Sequence, residues 1–243
     1  MDQENLNLTV SCSPHVHAPD GTRDIMLDVV IALIPAMLGA MFFFGLRSLC
    51  VAAVSVAACI VFEFLYRKLL KKDTTIGDCS AIVTGLLLAM VCPVTIPYWT
   101  IIIGDFFAIV IVKQLFGGIG CNFLNPALAG RAFLFSYPVI MTTWVAPYTS
   151  LKLIGSNVDA VTAATPMSYL HQGLLPDTTI FDSFLGSVGG CMGETSAILL
   201  LVGGVYLVVR KVISPRIPLA YIGTVAVIAL LFPQGNDRLV WLG

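Results

Sequence analysis

Long apolar runs separated by short polar breaks set the rhythm of this chain. A run near 20 residues crosses a bilayer as an α-helix. By that measure spans are predicted at Met26 to Phe44, Ser48 to Tyr66, Tyr98 to Leu115 and Ala132 to Tyr148, with further ones at Val188 to Val209 and Ile217 to Phe232. A seventh run, Ala81 to Val94, is short and contains Pro93 near its end, so it is either a full helix extended by its flanks or a broken one. One long polar stretch, from about Thr149 to Ser187, interrupts the pattern.

Composition fits the same picture. Hydrophobic residues make up 58% of the 243 and charged residues 11%, with a mean hydropathy of +0.93, which is outside the range of soluble domains. The predicted class is an all-α polytopic membrane protein with the lipid bilayer as its solvent. A net charge of -1 gives no basic surface for nucleic acid. Residues 1 to 23 are polar and lack the basic and apolar regions of a secretory leader, so the first span is expected to direct insertion itself.

The distribution of basic residues predicts an orientation. With a cytoplasmic N-terminus, the inner side holds Arg23, Arg67, Lys68, Lys71, Lys72, Lys113, Arg131, Arg210, Lys211 and Arg216, and the outer side holds Arg47, Lys152 and Arg238. That asymmetry satisfies the positive-inside rule, and it survives removal of Lys113 and Arg131, which lie near the apolar boundary. The polar stretch around residues 149–187 is thereby expected to be extracytoplasmic.

The chain also resembles itself. Gly77-Asp78-Cys79-Ser80-Ala81-Ile82-Val83 recurs as Gly193-Glu194-Thr195-Ser196-Ala197-Ile198-Leu199, and each copy opens an apolar run. An odd number of predicted spans between the copies makes the repeat inverted, as in many transporter folds. The expected organisation is a single membrane domain over 1–243: a first repeat at about 24–148, an outer loop at about 149–187 and a partial second repeat at about 188–243. The counterpart of Gly117-Gly118-Ile119-Gly120-Cys121-Asn122-Phe123-Leu124-Asn125-Pro126 is expected near residue 233 and is missing there, so the second half reads as incomplete.

Two segments carry candidate chemistry. The Gly117 to Pro126 run cannot be an ordinary lipid-facing helix, because its glycines and proline would leave backbone groups without partners in hydrocarbon. It is expected to be a re-entrant segment shielded by protein. Asn122 and Asn125 then either hydrogen-bond a bound ring system or simply serve a turn that packs two halves together. Asp159-Ala160-Val161-Thr162-Ala163-Ala164-Thr165, within the polar stretch, is the second segment.

The latter string resembles the flavinylation motif Asp-x-x-(Ser/Thr)-Gly-Ala-Thr of the membrane subunits of Rnf complexes and Na+-translocating NADH:quinone reductases. The run Gly117 to Phe133, Ser13-Pro14-His15, Thr142-Thr143-Trp144 and the paired Gly-Asp/Glu-x-Ser-Ala strings are similar to the same family, the D-type subunits of Rnf complexes with their B-type Nqr relatives. Lacking the longer N-terminal extension of the Nqr relative, the chain looks more like the Rnf D-type. The resemblance implies FMN joined to Thr165 through a phosphoester, with Asp159 and Thr162 as recognition or orienting groups, and it implies riboflavin held noncovalently among the helices. It also implies a flavin transferase for maturation, and partnership with the other membrane and peripheral Rnf subunits in a prokaryotic cell membrane.

Ala163 stands where that motif has Gly. If the position needs positive φ, Ala is disfavoured there and attachment is expected to be slower. The function implied is electron relay within a redox-driven ion translocase that joins ferredoxin to NAD. Those two partners are expected on other subunits, since this chain has no cysteine cluster and no dinucleotide fingerprint. A role like that of the B-type Nqr relative, a solute channel or transporter of similar repeat architecture, and a scaffold that has lost its cofactor are the competing readings.

Ionisable residues within spans cost roughly 2.5 to 3.5 kcal/mol each at mid-membrane. Asp28 and Glu63 lie near predicted helix ends, where interfacial water is within reach. Asp105 and Lys113 share a span and are expected to act as separate snorkelling or interhelical groups, and Asp78 and Glu194 to cap helix starts. His15, His17 and His171 have no carboxylate or cysteine at ligand spacing, which argues against haem or zinc.

Overall fold

The computed structural model describes residues 21–73, 75–149, 151, 153, 165 and 179–231. These residues form helices and no strand element. Helix α1 (Thr22–Phe44) and helix α2 (Leu46–Leu69) are the two whose length and mean hydropathy, 2.3 each, suffice to cross a membrane. They join through Gly45, whose φ of 76° is available to glycine at little cost. After a single 3₁₀ turn at Ile76–Asp78 comes α3 (Ser80–Met90). Helix α4 (Tyr98–Phe106) then runs on without interruption as a π-helix over Phe107–Gln114.

The chain continues through α5 (Pro126–Leu134), α6 (Pro138–Met141), α7 (Ile180–Leu185), α8 (Ala197–Val209) and α9 (Arg216–Leu231). The predicted span Ala132 to Tyr148 is therefore not one helix. Its apolar run is hydrophobic enough, but Phe135–Tyr137 turn and Pro138 restarts the helix at its first position, where a missing N–H costs nothing. Likewise the run from Val188 becomes helical only at Ala197, after a loop in which Met192 N donates to the Cys92 carbonyl and Gly193 N to the Met90 carbonyl.

Close helix approach rests on small residues. A Cβ on Gly85 would lie 2.8 Å from Val56 Cα, so α3 meets α2 backbone to backbone. A Cβ on Gly130 would lie 3.1 Å from the Gly104 carbonyl oxygen, which seats α5 on α4. Without a hydrophobic drive between helices in lipid, such contacts give van der Waals packing its reach. The main core gathers Phe43, Phe44, Val51, Leu88, Ile96, Ile101 and Leu134 from α1 to α5. In contrast, α9 leaves Ile217, Leu219, Tyr221, Leu230 and Leu231 about two-thirds or more exposed, an apolar surface suited to lipid or to neighbouring helices.

Helix directions follow from the contacts. The start of α1 meets the end of α8 through Asp28, Tyr206 and Arg210, while Gly39 near its other end faces Leu199. Helix α8 is thus antiparallel to α1. Helix α2 is antiparallel to α1 as well, and α3 to α2, because Ser55 meets Gly85 while Cys59 meets Ala81. The helices that follow the two matching heptads, α3 and α8, therefore point in opposite directions.

Candidate functional site

Two ends of the bundle differ in chemistry. At the first end lie the start of α1, the end of α2 with Arg67, the start of α3, the π-helix with Lys113, and the Gly117–Asn125 segment. That segment folds as consecutive turns with positive φ at Gly117, Gly118 and Gly120 (113°, 101° and 81°). Asn125 ends it as the N-cap of α5: its Oδ1 accepts from Ala127 N at 3.0 Å and Leu128 N at 3.4 Å, and Pro126 occupies the first helical position. Asn122 Nδ2 donates to the Leu124 carbonyl at 2.6 Å.

Both asparagines line one cavity of about 240 Å³ with Ser80, Thr84, Lys113 and Met26. The structure so brings Asn122 and Asn125 together and gives each a backbone partner as well. Of the polar-stretch residues, Thr165 is half-buried on non-helical backbone. Asp159 and Thr162 lie outside the described residues.

The cavity's floor is a buried ionic network that hydropathy and motif spacing do not reveal. Lys113 Nζ lies 2.8 Å from Glu63 Oε2 and also donates to Ser80 Oγ. Thr75 Oγ1 donates to Glu63 Oε1 at 2.6 Å, and Ser80 Oγ to Asp78 Oδ1 at 2.7 Å. Glu63 is fully buried rather than reaching interfacial water as expected from its place near a helix end, because the 3₁₀ turn and the start of α3 cover it. Asp78 does support the start of α3, accepting from Ser80 N at 2.9 Å. Its repeat counterpart Glu194 instead pairs with Arg131 at 3.0 Å.

At the opposite end Arg47 is 1% exposed. It was expected in an outer loop. Instead its guanidinium donates to the carbonyls of Val94 at 2.9 Å, Ile96 at 3.2 Å and Leu153 at 3.4 Å, and it lies 5.2 Å from the centroid of the Tyr98 ring. Five donors in a fixed fork suit it to collecting carbonyls that a loop cannot pair within itself. Tyr98 Oη also donates to the Leu153 carbonyl. Leu153 is therefore tied by its carbonyl to the starts of α2 and α4. The pairing of Arg131 with Glu194 puts that arginine near the Met90 end, away from the basic cluster it was grouped with. Among the described residues no group of three or more His, Cys, Asp or Glu is arranged to hold a metal ion.

Apolar outer faces, small-residue helix contacts and a charged network sealed inside them define the class, a helical membrane protein with a polar interior. Over residues 9–241 the chain matches the NQR2, RnfD, RnfE family and belongs to it. It is 47% identical over 238 residues to the D subunit of the Na+-translocating ferredoxin:NAD+ oxidoreductase complex of Acetobacterium woodii, covering 97% of this chain and 72% of that protein. It is 43% identical to the D subunit of the proton-translocating ferredoxin:NAD+ oxidoreductase complex of Clostridium ljungdahlii, over 92% of this chain and 69% of that one. The D subunit of the ion-translocating oxidoreductase complex of Rhodobacter capsulatus is 38% identical, over 90% and 68%.

Proposed function

We propose that this chain is the D-type subunit of a membrane-bound, ion-translocating ferredoxin:NAD oxidoreductase complex and that it relays electrons through FMN bound covalently to Thr165. The observation that carries the reading is the string Asp159 to Thr165 in a chain 47% identical to a D subunit of that name. A transferase must reach the hydroxyl, and Thr165 lies on non-helical backbone. A Thr hydroxyl is a weak nucleophile alone, so attachment belongs to that separate enzyme, and the neighbours Ala163 and Ala164 carry only methyl side chains. Bound through its phosphate, the flavin would supply one-electron chemistry while its tether keeps its local concentration high.

The chain's own residues divide the remaining work. Arg47 and Tyr98 hold the Leu153 carbonyl, early in the polar stretch, at the end of the bundle opposite Lys113. With the N-terminus cytoplasmic, that stretch is extracytoplasmic, and electrons entering from the cytoplasmic side cross the membrane to reach it. The opposed directions of α3 and α8 support an inverted repeat. Ferredoxin and NAD bind other subunits of the complex, and the lipid bilayer surrounds the bundle.

A noncovalent riboflavin at Asn122 and Asn125 is a narrower fit. The lining donors suit the polar edge of a flavin ring, but about 240 Å³ is below the ~300 Å³ at which ligand pockets usually begin. The cavity as it stands takes an edge, not a whole flavin.

Peptide mass spectrometry tests the main reading. A Thr165-containing peptide from cells that hold the transferase should gain the mass of FMN less water. An unmodified peptide from such cells would instead support a channel or a scaffold without cofactor.

A further inference from the structure

Nothing in the electron relay uses the polar seam between α2 and α4. Ser55, Cys59, Glu63 and Arg67 recur every four residues on α2 and so share one face of it. Across from them, Asp105 meets Ser55 and Cys59, Lys113 meets Glu63, and Gln114 Oε1 accepts from Arg67. From Ser55 to Arg67 this stripe runs roughly 18 Å at 1.5 Å per residue, more than half of a ~30 Å hydrocarbon core.

Asp105 closes the inner end of the seam and is fully buried. Its Oδ1 lies 2.7 Å from Ser55 Oγ and 3.3 Å from Cys59 Sγ, whereas Oδ2 has no hydrogen-bond partner. Ser55 Oγ is also 2.8 Å from the Gly85 carbonyl oxygen. A hydroxyl carries one proton, so Ser55 can donate to Gly85 or to Asp105 but not to both. An ionised Asp105 would leave one of these oxygen pairs without a proton between them, with a bare carboxylate oxygen in a dry interior. One added proton resolves this: Asp105 donates to Ser55 Oγ, and Ser55 donates to the Gly85 carbonyl.

The surroundings agree. The titratable and charged groups facing Asp105 are Cys59 from α2, Cys92 from the segment after α3, and, further along the seam, Glu63 with its partner Lys113. The only cation among these is already neutralised by Glu63 at 2.8 Å. The α-to-π junction directly after Phe106 widens the helix next to the carboxyl, a distortion frequent at functional positions.

We infer that Asp105 is a proton-binding site inside the membrane, occupied at rest, on a polar seam that leads toward the Glu63–Lys113 pair. This goes beyond the flavin reading and does not depend on Thr165. When the site empties, the O–H bond of the Asp105 carboxyl breaks, the proton passes along the seam to water at its partly exposed Arg67 end, and Ser55 turns its own proton from Gly85 to the new carboxylate.

Infrared spectra of the intact complex in lipid, wild type minus Asp105→Asn, test it. The expected result is loss of one protonated-carboxyl band that shifts in D2O, with the variant still assembled, because Asn matches the neutral acid in shape. Ser55→Ala should move that band without removing it. Loss of ionised-carboxylate bands instead, or a band that responds to Na+ at constant pH, would overturn the proton assignment in favour of a carboxylate or sodium site. Failure of Asp105→Asn to assemble would also overturn it, since a resting neutral acid has a neutral substitute. FMN on Thr165 should be present in the wild type and in every variant, and its absence from the wild type would indict the flavin reading separately.

Discussion

Lys113 and Glu63 pair at 2.8 Å with side chains only 3% and 1% exposed, fifty positions apart in sequence. Taking two charges out of water costs more than their attraction reliably returns, so the pair persists because neighbours complete it: Thr75 serves the second Glu63 oxygen, and Ser80 accepts from the ammonium. The consequence is an asymmetry between breaking the pair and replacing it. Glu63→Gln or Lys113→Met alone should each cost about 3–5 kcal/mol, because a buried charge is left behind. Glu63→Leu combined with Lys113→Met should recover most of that. Thermal unfolding midpoints of the purified complex check this, and additive losses in the double variant would refute it.

The hold on the loop gives a second prediction. Arg47 joins Val94, Ile96 and Leu153 through carbonyls that nothing else in α2 serves. Arg47→Met keeps the apolar stem and removes the fork, which costs the buried Val94 and Ile96 carbonyls this donor, at about 1–3 kcal/mol, and leaves Leu153 to Tyr98 alone. Limited proteolysis should then cut near Leu153 faster than in wild type, with cleavage elsewhere unchanged.

Attachment of FMN should depend on the hydroxyl and on the backbone two residues before it. After acid precipitation, flavin fluorescence on the chain should vanish in Thr165→Ala and persist in Thr165→Ser. Ala163→Gly should raise the labelled fraction or its rate, since glycine adopts positive φ without the steric cost a methyl group imposes. Equal labelling of the wild type and the Ala163→Gly variant would show that this position needs no such conformation.

How much of this was legible in the sequence varies with the physics. Helices α1, α2 and α9 were found within a few residues, because a sum of side-chain hydropathies is what membrane crossing measures. The same sum misread Ala132 to Tyr148, where the break at Phe135–Tyr137 is a backbone event in an apolar run. It also placed Arg47 in an outer loop, blind to the backbone carbonyls that gather around it. The spacing of Ser55, Cys59, Glu63 and Arg67 by fours stands in the sequence, but it was not read as one polar face. Its partners on α4 were not legible, because the π-helix changes which residues follow Asp105 onto the shared face.

Close packing at Gly85 in α3 and its absence at Gly204 in α8 should separate two glycines in similar helices. Gly85→Val places a branched side chain where even a Cβ would be 2.8 Å from Val56 Cα and 3.0 Å from the Ser55 carbonyl oxygen, so α3 must withdraw from α2. Overpacking of this kind costs typically about 1–3 kcal/mol or more, and here it also parts Ser55 from Gly85. Gly204, within α8, has nothing within 4 Å of an added Cβ, so Gly204→Ala should be neutral or stabilise by about 0.5–1 kcal/mol. Thermal midpoints that rank the two variants in the other order would show that α8 is covered in the assembled complex.

Asn125 holds two roles that can be pulled apart. As N-cap of α5 it accepts from Ala127 N and Leu128 N, and its loss to alanine should cost about 0.5–2 kcal/mol. Asn125→Asp keeps the acceptor oxygen, so it should hold the helix start while replacing the amide donor of a cavity-lining residue with a second acceptor. A noncovalent flavin that depends on this amide should be lost from both variants, measured as flavin released on denaturation from complex whose Thr165 is replaced by Ala. Were Asn125→Asp to keep both its stability and its released flavin, the residue would be a cap alone and the cavity's donors would reduce to Lys113, Asn122 and the hydroxyls of Ser80 and Thr84.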